Sequence, residues 1–301
     1  MHGKWTLQYY NFFKDYPLGN NSFVKIFHDI KFTNDHAGWA VGNHGMIIHT
    51  DDGGITWSLQ ESGSLSADLR SLAIIDDKIV WVAGGNVLLQ TRDGGLDWKE
   101  SPLSSFDYDL NQVVFVSSLE GYLLGENGLL IRTSDGGRSW KKINIHTQQG
   151  LKKASFPDKN NGWIVGEKGI ILRTDDSGKT WKKMNAAVHS DLYCVFFINK
   201  LNGWAAGENG ILIQTHNGGK TWNSQFVCRN CRIFDLSFID EIRGSLVGWP
   251  YLLLSTTDGG KNWISQNTTP SVRPGLKSIF FLDVHNGWAV GELGSIFRYQ
   301  D

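Results

Sequence analysis

Side chains that could hydrolyse a glycosidic bond are present but scattered along the chain. A sialidase-type hydrolase needs several arginines on one face, a tyrosine–glutamate nucleophile pair and an acid. Residues of the right type are Arg70, Arg229, Arg232 and Arg273, with Asp29 and Asp235 as acids. The nine histidines show no metal-ligand spacing and no neighbouring nucleophile. The sequence therefore predicts no catalytic residue, no metal site and no cofactor.

A second set of carboxylates could be taken for acid–base groups. They stand in similar Gly-Glu turns, at Glu126, Glu167, Glu208 and Glu292. Because one position recurs in several copies of a repeat, we interpret these glutamates as turn residues rather than catalysts.

Two cysteines, Cys228 and Cys231, form a C-x-x-C pair within NSQFVCRNCRIF (223–234). Zinc needs four ligands, and only Cys194 and His189 could join the pair. A thioredoxin-like role requires a helix N-terminus, and no helix is predicted here. We interpret the pair as plain thiols, with a local disulfide as the alternative.

The elements that carry these residues are set by a repeat. Tryptophans recur at intervals of 41 or 42 residues, at Trp57, Trp98, Trp140, Trp181, Trp222 and Trp263. Each ends a segment such as TSDGGRSW (133–140), which is an Asp-box. In this turn a short Asp or Asn side chain accepts backbone N–H groups, and glycine adopts a positive φ. The box residues predicted to be structural are Asp52, Asp93, Asp135, Asp176, Asn217, Asp258 and Asp301.

Each period contains four short strands, A to D, with the Asp-box in the C–D turn. In residues 151–184 they are LKKASF, NGWIVG, IILRT and WKKM. Four strands in about 40–45 residues are typical of a β-propeller blade. Blades 1 to 6 are predicted at 26–60, 69–101, 110–143, 151–184, 192–225 and 233–266, and strands A to C of blade 7 at 276–301.

The two ends of the chain complete one unit. The last period stops at Asp301 after strand C, whereas MHGKWTLQ (1–8) reads as the end of a box followed by strand D. The join places Trp5 43 residues after Trp263. The sequence thus predicts an all-β, seven-bladed β-propeller with four antiparallel strands per blade. It forms one domain over residues 1–301 and is closed by residues 1–8. Residues 9–25 form a long aromatic link that either covers the seam or walls a cleft.

The full motif of a blade is more specific than the box. N-G-W-A-V-G-E-x-G-x-[IL]-x-x-T-x-D-G-G-x-[ST]-W occurs at 161–181, 202–222 and, truncated, 286–301. It resembles the photosystem II stability/assembly factor family, which has relatives in non-photosynthetic bacteria. The resemblance covers the whole chain and implies a propeller that binds a protein or peptide, such as a membrane-protein precursor, without chemistry of its own. The family's arginine-rich surface has no comparably dense counterpart here, and no photosynthetic role is implied.

Departures from the repeat indicate where function lies, because residues shared by all blades are scaffold. The departures gather on the face formed by the D–A links and B–C turns, which we call the upper face. Partner-binding residues are predicted at Arg70, Lys152, Tyr193, Arg229, Arg232, Phe234, Trp249, Tyr251 and Lys277. Trp249 and Tyr251 could instead fill a gap between blades 5 and 6. The alternative function is a carbohydrate-acting propeller, either a lectin or a sialidase-like glycoside hydrolase.

Net charge and the lengths of the apolar runs limit the classes of partner that the sequence predicts. The net charge of −1 over 301 residues gives no indication of nucleic-acid or anionic-membrane binding. No apolar run is long enough to insert in a membrane, and no signal peptide is evident at Met1. We expect a monomer in the cell envelope if a leader has been removed, and in the cytoplasm otherwise.

Overall fold

Seven sheets, one for each repeat, surround a central channel in the computed structural model. The structure describes residues 3–9, 25–63, 67–101, 103, 109–269 and 273–300. Most of the aromatic link (10–24) and Asp301 of the split box lie outside these residues. The predicted seven-bladed, all-β architecture is confirmed.

Each blade follows the order A-B-C-D from the channel outwards. The strands, A to D in each blade, are Phe27–Phe32, Gly38–Gly42, Ile47–Thr50 and Ser58–Gln60 in blade 1; Ser71–Ile74, Val80–Gly84, Val87–Thr91 and Trp98–Glu100 in blade 2; Leu110–Phe115, Gly121–Gly125, Leu130–Thr133 and Lys141–Lys142 in blade 3; Leu151–Ser155, Gly162–Gly166, Ile171–Thr174 and Lys182–Met184 in blade 4; Leu192–Phe197, Gly203–Gly207, Ile211–Thr215 and Asn223–Phe226 in blade 5; Arg232–Phe238, Gly244–Trp249, Leu252–Thr256 and Ile264–Ser265 in blade 6; Leu276–Phe281, Asn286–Gly291, Ile296–Gln300 and Lys4–Tyr9 in blade 7. Short 3-10 turns at Glu167–Gly169 and Glu208–Gly210 join strands B and C in blades 4 and 5.

The ring closes through the N-terminal strand, as predicted. Lys4–Tyr9 pairs antiparallel with Ile296–Gln300, placing Trp5 opposite Tyr299, and Trp5 is buried. A fifth strand, Thr268–Thr269, runs parallel to Lys4–Tyr9, so this sheet has five strands instead of the four predicted. The added strand comes from the D–A link, and it covers backbone groups at the outer edge of the closing strand.

Aromatic side chains fill the seams between blades. At the seam of blades 4 and 5, Phe197 of strand A stacks on Trp163 of the preceding blade with ring centroids 3.6 Å apart. The box residue Trp222 meets the same Phe197 edge-on at 5.9 Å. Similar pairs recur at other seams, where offset and edge-on contacts add to the gain from burial.

The Asp-box holds its own turn together. In blade 4, Asp176 Oδ1 accepts hydrogen bonds from Thr180 N (2.9 Å) and Thr174 Oγ1 (2.8 Å). Thr174 Oγ1 in turn accepts from Gly178 N, and Gly178 has a φ of 68°. These bonds use the oxygens of Asp176 inside the turn at the lower face, opposite the predicted binding face.

Candidate functional site

In six of the seven blades, all except blade 2, strand A begins with an irregularity that turns one residue towards the upper mouth of the channel. In blade 4, Leu151 pairs with Gly166 and Lys153 with Val165, so Lys152 has no partner in the ladder. An extra residue of this kind is a β-bulge, which changes the direction of a side chain. The same shift occurs in blades 1, 3, 5, 6 and 7.

The glycine that ends strand B makes room for this bulge. A Cβ atom on Gly166 would collide with the carbonyl oxygen of Gly150, which precedes strand A. Gly207 stands in the same relation to the carbonyl of Asp191. The close approach lets Glu167 N donate to Gly150 O at 2.9 Å and places the Glu167 side chain beside the channel mouth. The Gly-Glu motif thus positions both a backbone and a carboxylate.

One residue from each blade lines a depression of about 290 Å³ at the upper mouth, together with Asp68. We call these seven residues the mouth ring: His28, Arg70, Asn111, Lys152, Tyr193, Phe234 and Lys277. Five of them are among the nine residues predicted from sequence. His28 and Asn111 were missed because the prediction selected only Arg, Lys, Phe, Tyr and Trp, although their position in the repeat marks them equally well.

The B–C turn glutamates hold the polar side chains of the mouth ring. Lys152 Nζ lies 2.6 Å from Glu126 Oε1 and 3.5 Å from Glu167 Oε1. Asn111 Nδ2 also donates to Glu126 Oε1, at 2.7 Å. Burial by itself would raise the pKa of Glu126, but the hydrogen bonds from Asn111 and Lys152 outweigh it and lower that pKa. Glu126 is therefore held in its ionised form as the ion-pair partner of Lys152.

A second cluster connects the mouth ring to blade 6. The hydroxyl of Tyr193 donates to Glu208, whose carboxylate also accepts from Arg232 Nε at 3.1 Å. Burial and the bond to Glu208 raise the pKa of Tyr193. Lys277 Nζ lies 3.9 Å from the ring centroid of Phe234, a cation–π contact, and 3.7 Å from Glu292.

His28 is a basic side chain of the ring that is held in its neutral form. Burial lowers its pKa to about 4, with the positive charges of Lys277 and Arg70 acting in the same direction and Asp68 against it. Arg70 Nη1 is held 2.6 Å from Asp109 Oδ1 and 3.1 Å from Asn111 Oδ1.

The remaining predicted residues lie further out, at blade 6. Trp249 is 45% and Tyr251 62% exposed, so neither ring fills a gap between blades. Arg232 is the ladder partner of Trp249, and Arg229 and Phe226 are exposed on the preceding link and strand. We call Phe226, Arg229, Arg232, Trp249 and Tyr251 the rim patch.

The cysteine pair corrects the sequence interpretation. Cys228 and Cys231 form a disulfide, with Cα atoms 6.0 Å apart, instead of the plain thiols preferred above. Val227 N donates to Gly210 O at 3.0 Å, and Asn230 adopts a positive φ of 54°, so the link folds into a tight turn. Cys194 stays a buried thiol whose pKa is raised by burial.

The part of the chain that the structure describes offers neither a metal-binding cluster nor a membrane-spanning helix. No group of three or more His, Cys, Asp or Glu side chains in that part of the chain is arranged to hold a metal ion. No helix within it has the length and apolar character needed to cross a bilayer.

Seven blades with Asp-boxes on one face and irregular residues on the other define an Asp-box β-propeller. The model of the family described as "Photosynthesis system II assembly factor YCF48" matches residues 14–105, 58–134 and 133–230. The chain belongs to this family. A search of curated protein sequences finds no match.

Solved structures of similar shape agree with this fold. The structure "YCF48 bound to D1 peptide" is 21% identical, with a TM-score of 0.77, covering 92% of this chain and 94% of that one. YCF48 from Cyanidioschyzon merolae is 19% identical with a TM-score of 0.77, covering 99% of this chain and 98% of that one. An ancestral GH74 enzyme is 11% identical with a TM-score of 0.75, and the alignment covers 93% of this chain and 46% of the enzyme.

Proposed function

We propose that this propeller is a non-catalytic scaffold that holds a protein or peptide partner on its upper face. The observation that carries the proposal is the rim patch, where exposed aromatic rings and arginines interrupt an otherwise regular scaffold. Tyr, Trp and Arg dominate the energetics of protein interfaces because their large planar groups lose little entropy on binding.

The mouth ring and the rim patch have different parts in this proposal. The cations of the mouth ring are held by carboxylates, as in the pairs Lys152–Glu126 and Arg70–Asp109. Charged groups at an interface contribute to specificity and to the rate of association more than to affinity. The rim patch presents Trp249 and Tyr251 to solvent and supplies the apolar area. Arg232 connects the two regions, since Glu208 binds both Arg232 and Tyr193.

Family membership supports a peptide as the partner class. One structure of a YCF48 protein is described as bound to a D1 peptide. By this relationship, the partner we propose for the present chain is an extended segment of a protein, such as a membrane-protein precursor.

The test compares peptide binding by matched variants. Peptides are first selected from a display library against the wild-type protein, and their affinities are then measured for Trp249→Ala/Arg232→Ala. The control, Lys200→Ala/Leu201→Ala, changes a basic and an exposed apolar residue in an A–B turn of the lower face. We expect the rim variant to lose at least tenfold in affinity, because buried aromatic and arginine anchors are worth about 2 kcal/mol or more, whereas the control stays at the wild-type value. Equal affinities for the two double variants would refute the rim patch.

The carbohydrate-acting alternative is separated by a second assay. Saturable binding to a glycan array, or turnover of aryl-glycosides that disappears in Glu126→Gln, would favour it over peptide binding.

A further inference from the structure

The lower half of the central channel contains a chamber that the proposed function does not use. Its volume is about 320 Å³, and its lining includes one channel-facing residue from every strand A, among them Lys31, Val114, Phe196 and Phe280. This volume is at the small end of the range of about 300–1,000 Å³ seen for ligand pockets. We call it the lower chamber.

The inner end of the lower chamber is closed by a buried polar network. Lys153 Nζ crosses the channel to Asp235 Oδ1 at 2.6 Å, and the Ser278 hydroxyl lies 2.9 Å from Asp235 and 3.0 Å from Asp29. Backbone N–H groups also donate hydrogen bonds to the two carboxylates: Leu72 N donates to Asp29, and Ile279 N donates to Asp235. Because these acceptors are already occupied, a cationic ligand would have to displace Lys153.

The wall of the lower chamber also carries Lys31, a cation that lies outside this buried network. Lys31 stands where the equivalent residues of the other blades are Ala, Val, Ser or Phe. Among the described residues, Lys31 Nζ pairs with the carboxylate of Asp29. The distance between Nζ and Oδ1 is 4.0 Å, which is the limit of an ion pair. The ammonium also lies 5.9 Å from the ring centroid of Phe280, and a third of the side chain is exposed. A ligand anion would therefore find an accessible charge beside an apolar surface.

We propose that the lower chamber binds a small apolar carboxylate. The carboxylate meets the ammonium of Lys31, and an aromatic or branched aliphatic body lies against Phe196 and Phe280. Covering these half-buried rings with an apolar group removes apolar surface from water, which favours binding. A charge-assisted hydrogen bond to Lys31 fixes the orientation of the ligand. This inference is independent of peptide binding, because the lower chamber opens on the opposite face from the rim patch.

The experiment uses defined probes with the whole chain. Binding of 3-phenylpropionate, phenylacetate and 4-methylpentanoate is measured by calorimetry and by NMR shifts of Lys31 and Phe280. The uncharged 3-phenylpropionamide serves as the ligand control. We expect saturable binding of at least one acid to wild type, with the amide at least tenfold weaker. No saturable binding of any acid, or equal affinity for the amide, would overturn the proposal.

Two variants locate the site. Lys31→Met should weaken binding of the acid at least tenfold, whereas Lys200→Met, which removes an exposed lysine from an A–B turn of the same face, should leave it unchanged. Thermal melts establish that each variant is folded, and Phe196→Ser provides a second disruption if Lys31→Met melts early. Wild-type affinity in folded Lys31→Met would also overturn the assignment.

Discussion

The indole Nε1 of Trp163 donates a hydrogen bond of 3.2 Å to the carbonyl of Gly218, across the seam between blades 4 and 5. Trp163 belongs to the N-G-W motif of strand B, and Gly218 to the Asp-box of the next blade. The same connection recurs between other blades, as Trp204 to Gly259, Trp288 to Gly53 and Tyr122 to Ser177. The two halves of the family motif are thus joined across blades, and the box does more than close its own turn.

The first prediction measures this connection. Trp163→Phe should lower the free energy of unfolding by about 1–2 kcal/mol more than Trp39→Phe, because it leaves the Gly218 carbonyl buried without its donor. Trp39, the strand B tryptophan of blade 1, is the matched control: it is buried like Trp163, and its Nε1 has no hydrogen-bond partner among the described residues. Both changes remove the same part of an indole. Denaturant unfolding monitored by circular dichroism gives both values. Equal losses would show that the bond contributes nothing to stability.

The second prediction concerns acid stability of the Asp-boxes. Hydrogen bonds from the Thr180 side chain and backbone lower the pKa of Asp176 to about 2, below its ordinary value of 3.8. A carboxylate with a lowered folded-state pKa contributes stability above pH 4, and this contribution is lost as the pH falls towards 2. Asp176→Asn should therefore flatten the dependence of unfolding free energy on pH between 4 and 2.

Blade 5 provides the natural control for this change. Its box carries Asn217, whose Oδ1 accepts from Thr221 N at 2.9 Å as Asp176 does from Thr180. Asp176→Asn should thus stay close to wild-type stability at pH 7, whereas Asp176→Ala loses the hydrogen bonds and about 1 kcal/mol. Urea unfolding at several pH values tests both. An unchanged acid profile for the asparagine variant would contradict the expectation.

The third prediction is a titration within the mouth ring. The pKa of His28 is lowered to about 4, mainly by burial, so His28 is neutral at pH 7. The unfolded chain takes up this proton near pH 6.5, and the unfolding free energy should therefore fall as pH decreases from 6.5 to 4. His28→Asn should remove that part of the dependence.

NMR of the imidazole protons measures the titration directly. Removing the nearby positive charge in Lys277→Met should raise the pKa of His28, and removing the negative charge in Asp68→Asn should lower it further. A His28 pKa of 6 or above in the folded protein would rule out a buried neutral histidine.

The fourth prediction tests the closure of the ring. Deleting residues 1–8 removes most of strand Lys4–Tyr9 and the buried Trp5, whose loss alone costs about 3–5 kcal/mol. It also exposes Ile296–Gln300 as an open edge, which favours aggregation. We expect a large drop in melting temperature and increased light scattering. Deleting residues 1–2 leaves the strand in place and is the control; a wild-type melt for the longer deletion would refute the closure.

The fifth prediction concerns the cysteines. Because Cys228 and Cys231 are joined and Cys194 is a thiol, denatured protein should react with one equivalent of a thiol reagent, and with three after reduction. Three equivalents without reduction, in protein purified under oxidising conditions, would contradict the disulfide.

Much of the fold could be predicted because the residues that determine it are close together in the chain and recur in every repeat. The interval between box tryptophans, and the turn chemistry of Thr, Asp and Gly within each box, depend on residues that are neighbours in the chain. The register of Trp5 with the box tryptophans likewise predicted the closure, since a ring must end where it began. The same alignment of strand A starts placed five residues of the mouth ring.

The rest depends on groups that meet only when the blades assemble. Lys153 and Asp235 are 82 residues apart and join across the channel, and the low pKa of His28 arises from its burial among residues of other blades. The exposure of Trp249, the Cys228–Cys231 bond and the added strand Thr268–Thr269 depend on how each link folds over its neighbours. Periodicity specifies which residues occupy equivalent positions, whereas burial, ion pairing and protonation depend on distances between different blades, and only the tertiary structure sets those distances.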